Sequence, residues 1–346
     1  MNDINSSSQR EKWCGHEFLY KFQGFWFTQI YLETTKRVVE TFKPLPGDVI
    51  LASFPKTGTT WLKAILHSIV HPSPQHQNHP LTLNHPHQLI PSLETDLYIE
   101  KWREVGGIGS TKTPQFPVVK DPGKARILST HLPYQILGDI LNSSDCKIVY
   151  VTRNPKDTLV SLWHFLRKSS VVEKDNPWEV EAAVDQFCRG VVPFEPYYDH
   201  VLAYRQESLN LPEKVYFLTY EELKENPRFH VRKLGEFLGC PFDQIEKGEE
   251  KIDEIVKMCS FEILSSQQVN KSNEVPSVFP LPYSAFFRKG EVGDHKNYLE
   301  DNMIAKIDGV TRNKFHGCGF RSWASAHPIK SPSPTSLWFA KPFSQH

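Results

Sequence analysis

Along the chain, short unbroken apolar runs alternate with longer segments whose apolar residues recur every three or four positions. Val49 to Phe54 is one such run; it closes on the turn Pro55 to Thr60, after which Leu62, Ile65, Leu66 and Ile69 keep helical spacing. This predicts strand, loop, helix. The turn cluster Lys43-Pro44-Leu45-Pro46-Gly47-Asp48 sits where such a strand starts. Further runs at Ala125 to Ser129, Lys147 to Val151 and Val215 to Thr219 predict strands with helices between them. Short apolar strands of this kind are buried on both faces, so the predicted fold is α/β, a single domain with a central, mostly parallel sheet flanked by helices on both faces.

Other segments lack that rhythm. A polar start leads into an aromatic segment, Phe18 to Tyr31. His71 to Pro91, rich in Pro, His, Gln and Asn, predicts a long loop bordering a binding pocket. Beyond Phe320 the chain turns to Ser, Pro and aromatic residues and predicts a disordered tail. The expected organisation is a flexible N-terminus over 1–15, one domain over 16–320 and a tail over 321–346.

Composition narrows the function. Among 346 residues, 40 Lys and Arg balance 40 Asp and Glu, so no global field favours nucleic acid or a membrane surface, and charge for an anion must be local. No stretch approaches the roughly 20 apolar residues of a membrane span, and the polar start lacks a signal core. A cytoplasmic protein is expected. The six cysteines are scattered without a CxxC pair, which suits a reducing compartment and gives no thiolate zinc site. His67, His71, His76, His79, His85 and His87 crowd one region, but their irregular spacing, with no carboxylate until Glu94, does not make a metal site either.

The chemistry concentrates in Pro55-Lys56-Thr57-Gly58-Thr59-Thr60-Trp61, between a buried strand and a helix. Backbone N–H groups at such a junction cradle an anion; Gly58 permits close approach, Thr59 and Thr60 add hydroxyls, and Lys56 adds a charge. A kinase or ATPase loop of the GxxxxGK[ST] type has its lysine after the last glycine, whereas Lys56 precedes Gly58. Two further patterns follow in order: Tyr150-Val151-Thr152-Arg153-Asn154-Pro155-Lys156-Asp157-Thr158-Leu159-Val160-Ser161, and Arg288-Lys289-Gly290-Glu291-Val292-Gly293-Asp294. In the first, Arg153 lies just past a strand and Ser161 within the next helix, so both can reach one phosphate; alternatively Arg153 pairs with Asp157 on the surface.

With these three patterns in order, the chain resembles the plant-type cytosolic sulfotransferases that use 3′-phosphoadenosine-5′-phosphosulfate (PAPS), whose acceptors include flavonoids, steroids and desulfoglucosinolates. The resemblance implies a P-loop-like phosphosulfate-binding loop over Lys56 to Trp61, with Lys56 neutralising the leaving oxygen. It implies that Arg153, Ser161, Arg288, Lys289 and Gly290 hold the 3′-phosphate, and that Trp61, Tyr220 and Phe261 contact adenine, although each of these aromatics also reads as core. His131, in Leu128-Ser129-Thr130-His131-Leu132-Pro133, matches the family's catalytic histidine. It ends a predicted strand, where ligands of open α/β sheets bind, and imidazole suits a general base. No metal is implied. Phe22, Trp26, Phe27, Leu89, Trp163 and His164 are candidates to line the pocket for a small hydroxylated acceptor, and they read equally as core.

The chain departs from the family where His295 replaces a usual tryptophan and Glu300-Asp301 replaces a threonine-proline helix start. Lys296-Asn297-Tyr298-Leu299-Glu300 does not match the dimerisation signature of animal relatives, leaving monomer and weak homodimer open. His295 and the tail after Phe320 motivate one alternative, a catalytically impaired PAPS-binding regulatory protein.

Overall fold

The computed structural model describes residues 9–14, 17–72, 79–99, 116–117, 125–168, 177–244, 246–273, 281–317 and 323. Two sheets are present among them. The first is antiparallel, in the order β1 (Arg10–Trp13), β2 (Glu17–Phe22), β3 (Phe25–Thr28). β2 and β3 form a hairpin whose two loop residues, Gln23 and Gly24, both have positive φ (48° and 89°), the turn handedness that suits twisted strands. Phe25, Trp26, Phe27 and Leu19 bury their side chains there. The aromatic segment of the sequence is therefore a hairpin, and β1 lies within the stretch expected to be flexible.

The second sheet is parallel and holds four strands: β4 (Val49–Ser53), β5 (Ile127–Thr130), β6 (Lys147–Thr152) and β7 (Val215–Thr219), in the order β5-β4-β6-β7. All four lie where the apolar runs predicted them, β7 with the same bounds and the other three with ends shifted by one or two residues. Side chains alternate across a strand, and here each parity feeds its own core. Ile50, Ala52, Leu128, Ile148 and Tyr150 face one hydrophobic cluster; Val49, Leu51, Ile127, Val149, Val151 and Leu218 face the other. Both cores are closed by helices, so every β4 residue is buried. At the start of the sheet Arg126 donates two bonds to Asp48, at 2.9 and 2.6 Å, fixing β5 against β4.

This strand order positions the site. The chain lays down β4, then β5 on one side and β6 on the other, so the order reverses at β4 and a crevice opens beyond its carboxyl end. The register pairs Ala52 with Thr130, Ser53 with Val151 and Thr152 with Thr219. All four strands thus end together, and their next residues meet at one place: the loop Phe54–Gly58, His131, Arg153 and Tyr220.

The expected long loop before Pro91 contains two helical turns, Pro80–Leu83 and Pro86–Leu89, each opened by a histidine. Nδ1 of His79 accepts from the Leu81 N–H and Nδ1 of His85 from the His87 N–H. His76 lies outside the described residues. So does the predicted tail, except Trp323, which is buried against Phe315.

Candidate functional site

Beyond the carboxyl ends of the parallel strands lies a cavity of about 820 Å³. His131 and every donor-site residue expected from the sequence line it, except Thr57. The Thr57 hydroxyl donates inward to the carbonyls of Phe54 and Val151, at 2.7 and 3.0 Å, and ties the loop to β6. Lys56 has φ +70° and Gly58 φ +121°. A Cβ on Gly58 would stand 3.0 Å from the Tyr220 ring, so glycine is required both for the backbone and for the ring. The helix Thr59–Val70 begins immediately after, aiming its N-terminus at the cavity.

His131 is held on three sides. Its N–H donates to Glu94 Oε1 at 2.7 Å, its carbonyl accepts from His200 Nε2 at 3.0 Å, and its Nδ1 lies 2.8 Å from the Ser53 carbonyl. A carbonyl only accepts, so Nδ1 carries the hydrogen and the lone pair is on Nε2. Burial, with the Lys63 and Lys56 charges adding to it, lowers the His131 pKa to about 4. The imidazole is neutral at physiological pH. Glu94 also accepts from the Thr130 hydroxyl at 2.8 Å, bracing the end of β5. Neither Glu94 nor His200 was legible as a site residue, since each acts only through a contact distant in sequence.

Lys56 extends its Nζ to 3.7 Å from the centre of the Phe165 ring, with Phe286 on another side. Burial, then the charges of Arg288, Arg153 and Lys168, lower its pKa to about 7. An ammonium so placed gains from an arriving anion.

Arg153 stands over the Tyr220 ring at 4.5 Å and lies 3.5 Å from Asp157. The pair is buried, not on the surface as the alternative reading of the sequence had it. Asn154 caps the helix Pro155–Arg167, which carries Ser161 toward the cavity. Arg288 and Lys289 reach Asp294 at 2.5 and 2.7 Å. Although burial raises the Asp294 carboxyl, bonds from Lys289, Asn297 and Arg288 outweigh it and hold it well below the usual range. The Nε–H groups of Arg153 and Arg288 are buried without a hydrogen-bond partner among the described residues. Such donors fit a phosphate.

His295 is buried, and its Nδ1 and its backbone N–H bond Asp157 at 2.7 and 2.9 Å; the Gly293 N–H adds a third bond at 2.7 Å. Burial raises the Asp157 carboxyl, but these bonds and Arg153 pull it below its ordinary value. The residue that departs from the family thus anchors the third motif to the second. Gly290, at φ +67°, packs so closely on Phe261 that a Cβ would stand 2.5 Å from the ring.

Trp61 and Tyr220 meet edge to face at 5.4 Å, and with Phe261 they form an aromatic wall. The cavity is also lined by the apolar and aromatic residues Trp13, Ile30, Tyr31, Ile99 and Phe194, and by the polar residues Thr28, Gln88, Thr95 and Asp96. Of the six residues proposed from sequence for an acceptor pocket, His164 lines the cavity; Trp26, Phe27 and Trp163 are core residues, and Phe22 and Leu89 pack beside the cores. Aromatic content alone does not distinguish a pocket wall from a core, because both bury apolar area.

The sulfotransferase domain family matches residues 46–319. Cytosolic sulfotransferase 5 of Arabidopsis thaliana is 43% identical over 304 residues, covering 87% of this chain and 90% of the relative. The crystal structure of an Arabidopsis thaliana protein provisionally named a steroid sulphotransferase superposes with TM-score 0.66 at 34% identity, covering 91% of this chain and 93% of that one. A mouse sulfotransferase complexed with PAP (adenosine 3′,5′-bisphosphate) shares the fold, with TM-score 0.63 at 23% identity, covering 87% of this chain and 95% of the other.

Proposed function

Because the chain belongs to the sulfotransferase family, we propose that it transfers the sulfuryl group of PAPS to the hydroxyl of a small acceptor, by in-line displacement with His131 as general base. The observation that carries this reading is the His131 imidazole, with Nδ1–H committed to the Ser53 carbonyl and the Nε2 lone pair left free to accept, on the same cavity as Lys56 and the 55–60 loop.

In this reading Thr59, Thr60 and the loop amides orient the 5′-phosphosulfate, while Lys56 donates to the oxygen that bridges phosphorus and sulfur. Arg153, Ser161, Arg288, Lys289 and the Gly290 N–H hold the 3′-phosphate, and the buried unpartnered Nε–H groups of the two arginines favour that role. Trp61, Tyr220 and Phe261 face the adenine. His131 Nε2 takes the acceptor's proton as its oxygen bonds sulfur; the bond from sulfur to the bridging oxygen breaks, and Lys56 stabilises the charge that develops on PAP. The sulfuryl group carries less charge than a phosphoryl group, so these residues suffice in this reading without a metal.

The apolar and aromatic wall residues Trp13, Ile30, Tyr31, Ile99 and Phe194 favour a flat hydroxylated acceptor such as a phenol, flavonoid or steroid, with a desulfoglucosinolate as the more polar candidate. The cytosolic relatives favour a cytoplasmic location. The regulatory alternative rests on His295 and the tail; the bonds of His295 to Asp157 favour the enzyme instead, since they seat the third motif.

The test is His131→Ala assayed with labelled PAPS over these candidate acceptors, beside PAP titration. The expected outcome is a loss of turnover of about a hundredfold or more with PAP affinity retained. Turnover near the parent level would remove the general base.

A further inference from the structure

Two basic side chains that the proposed reaction does not use, the buried Lys63 and the half-buried His87, bear on the phosphate loop. Lys63, one turn after Thr60 on the helix Thr59–Val70, is 1% exposed, and its Nζ lies 3.1 Å from Nδ1 of His87. Nε2 of His87 lies 3.0 Å from Thr60 Oγ1. The His87 ring is clamped between His85, stacked at 5.1 Å, and Phe286 at 4.5 Å, and the His87 backbone N–H donates to His85 Nδ1.

The direction of each bond follows from chemistry. An ammonium has three donors and no acceptor, so Nδ1 of His87 accepts. A neutral imidazole with its lone pair at Nδ1 carries its hydrogen on Nε2, so Nε2–H donates and Thr60 Oγ1 accepts. Burial, reinforced by the Lys63 charge, keeps the His87 pKa well below its ordinary value, in keeping with the neutral ring. Thr60 then has one hydrogen left to donate. No acceptor for it is found among the described residues, and Thr60 lines the cavity.

We infer that Lys63 and His87 are positioning residues that fix the Thr60 hydroxyl as a donor into the cavity, toward an anionic oxygen of the phosphosulfate. An unconstrained hydroxyl divides its time between donating and accepting; this one has its accepting side occupied by a relay that ends in the buried Lys63 ammonium. The relay works only through Thr60. That dependence separates it from a packing role. The inference rests on the proposed function for its ligand.

The experiment is a double-mutant cycle read by calorimetric titration with PAP and by kcat/KM for PAPS. His87→Ala is expected to weaken PAP binding about tenfold, the size of one charge-assisted hydrogen bond. Thr60→Val is expected to lose as much, and the double variant no more than Thr60→Val alone. His87→Gln, whose amide again offers an acceptor beside a donor, recovers most of the loss. Lys63→Met supplies a second cycle should His87→Ala fail to fold: it weakens binding with Thr60 present and has no effect in Thr60→Val. Parent-like binding by His87→Ala or Lys63→Met, or losses that multiply in the double variants, overturns the relay. A parent protein that does not bind PAP would overturn the functional reading itself, and the ligand of the relay with it.

Discussion

Lys56 and His131 stand in the same cavity but are perturbed with opposite consequences. Both pKa values fall through burial, Lys56 to about 7 and His131 to about 4. For the histidine the loss of charge is what a base needs; for the lysine it leaves the empty site partly neutral near pH 7. A bound dianion reverses this, because an opposite charge at close range favours the ammonium. Binding therefore raises the Lys56 pKa and takes up a proton, and affinity falls as pH rises through about 7. Calorimetry in buffers of different ionisation enthalpy should show net proton uptake on PAP binding between about pH 7 and 8. Lys56→Arg should abolish that increment, since a guanidinium stays charged. His131 contributes none, being neutral throughout. Equal proton uptake by the parent and Lys56→Arg would count against the assignment. Lys56 was legible in the sequence through its place before Gly58, but its perturbation was not: Phe165, Phe286 and Arg288 come from segments more than a hundred residues away.

The strand ends and the helix starts after them do the positioning. Asp157, in the first turn of the helix Pro155–Arg167, accepts the N–H groups of Gly293 and His295 and the His295 ring, and so seats the turn that brings Arg288, Lys289 and Gly290 to the cavity. Asp157→Ala strands those buried donors and frees the turn. PAP binding should weaken about tenfold or more, while the rate at saturating donor changes far less, as kcat set against the PAPS KM will show. A variant with an unchanged KM and a lower kcat would contradict this. The parallel strands were legible because β4 to β7 are apolar on both faces, a pattern that little else produces in so few residues. The hairpin of β2 and β3 was not. Its turn is Gln23-Gly24 in place of the Asn or Asp pairings that signal such turns, and its strands carry aromatic residues on both faces. The helical turns before Pro91 were hidden for a similar reason, since histidine is an uncommon cap and only its Nδ1 geometry reveals the role.

Over the whole molecule, the C-terminal segment is tied to the helix of the second motif. Lys156 and Asp308 form a buried ion pair, and the Lys156 Nζ donates also to the Trp323 carbonyl at 2.8 Å. The Trp323 ring, 5% exposed, packs on Phe315. Thus a residue that composition assigned to a loose tail is part of the main core. Trp323→Ala should destabilise the protein by about 3 kcal/mol through the cavity it leaves, read as a lower urea midpoint at unchanged slope. A shift below about 0.5 kcal/mol would mean the site collapses freely or the ring contributes little.

The identity of the fold and the donor chemistry were already present in the linear order of residues. Strand runs are local, a phosphate loop is contiguous by construction, and Arg153 with Ser161 needs only one helix to bring its members together. Contacts between distant segments were decided by the packed chain. The hydrogen bond from His131 to Ser53, which assigns the basic nitrogen, joins the ends of β5 and β4. The hold of Asp157 on His295 turns an apparent departure into an anchor, and the polarity of Thr60 depends on a histidine 27 positions away. Local spacing reports which residues can act. Their protonation and direction depend on burial and on partners that meet only when the strand ends are brought together.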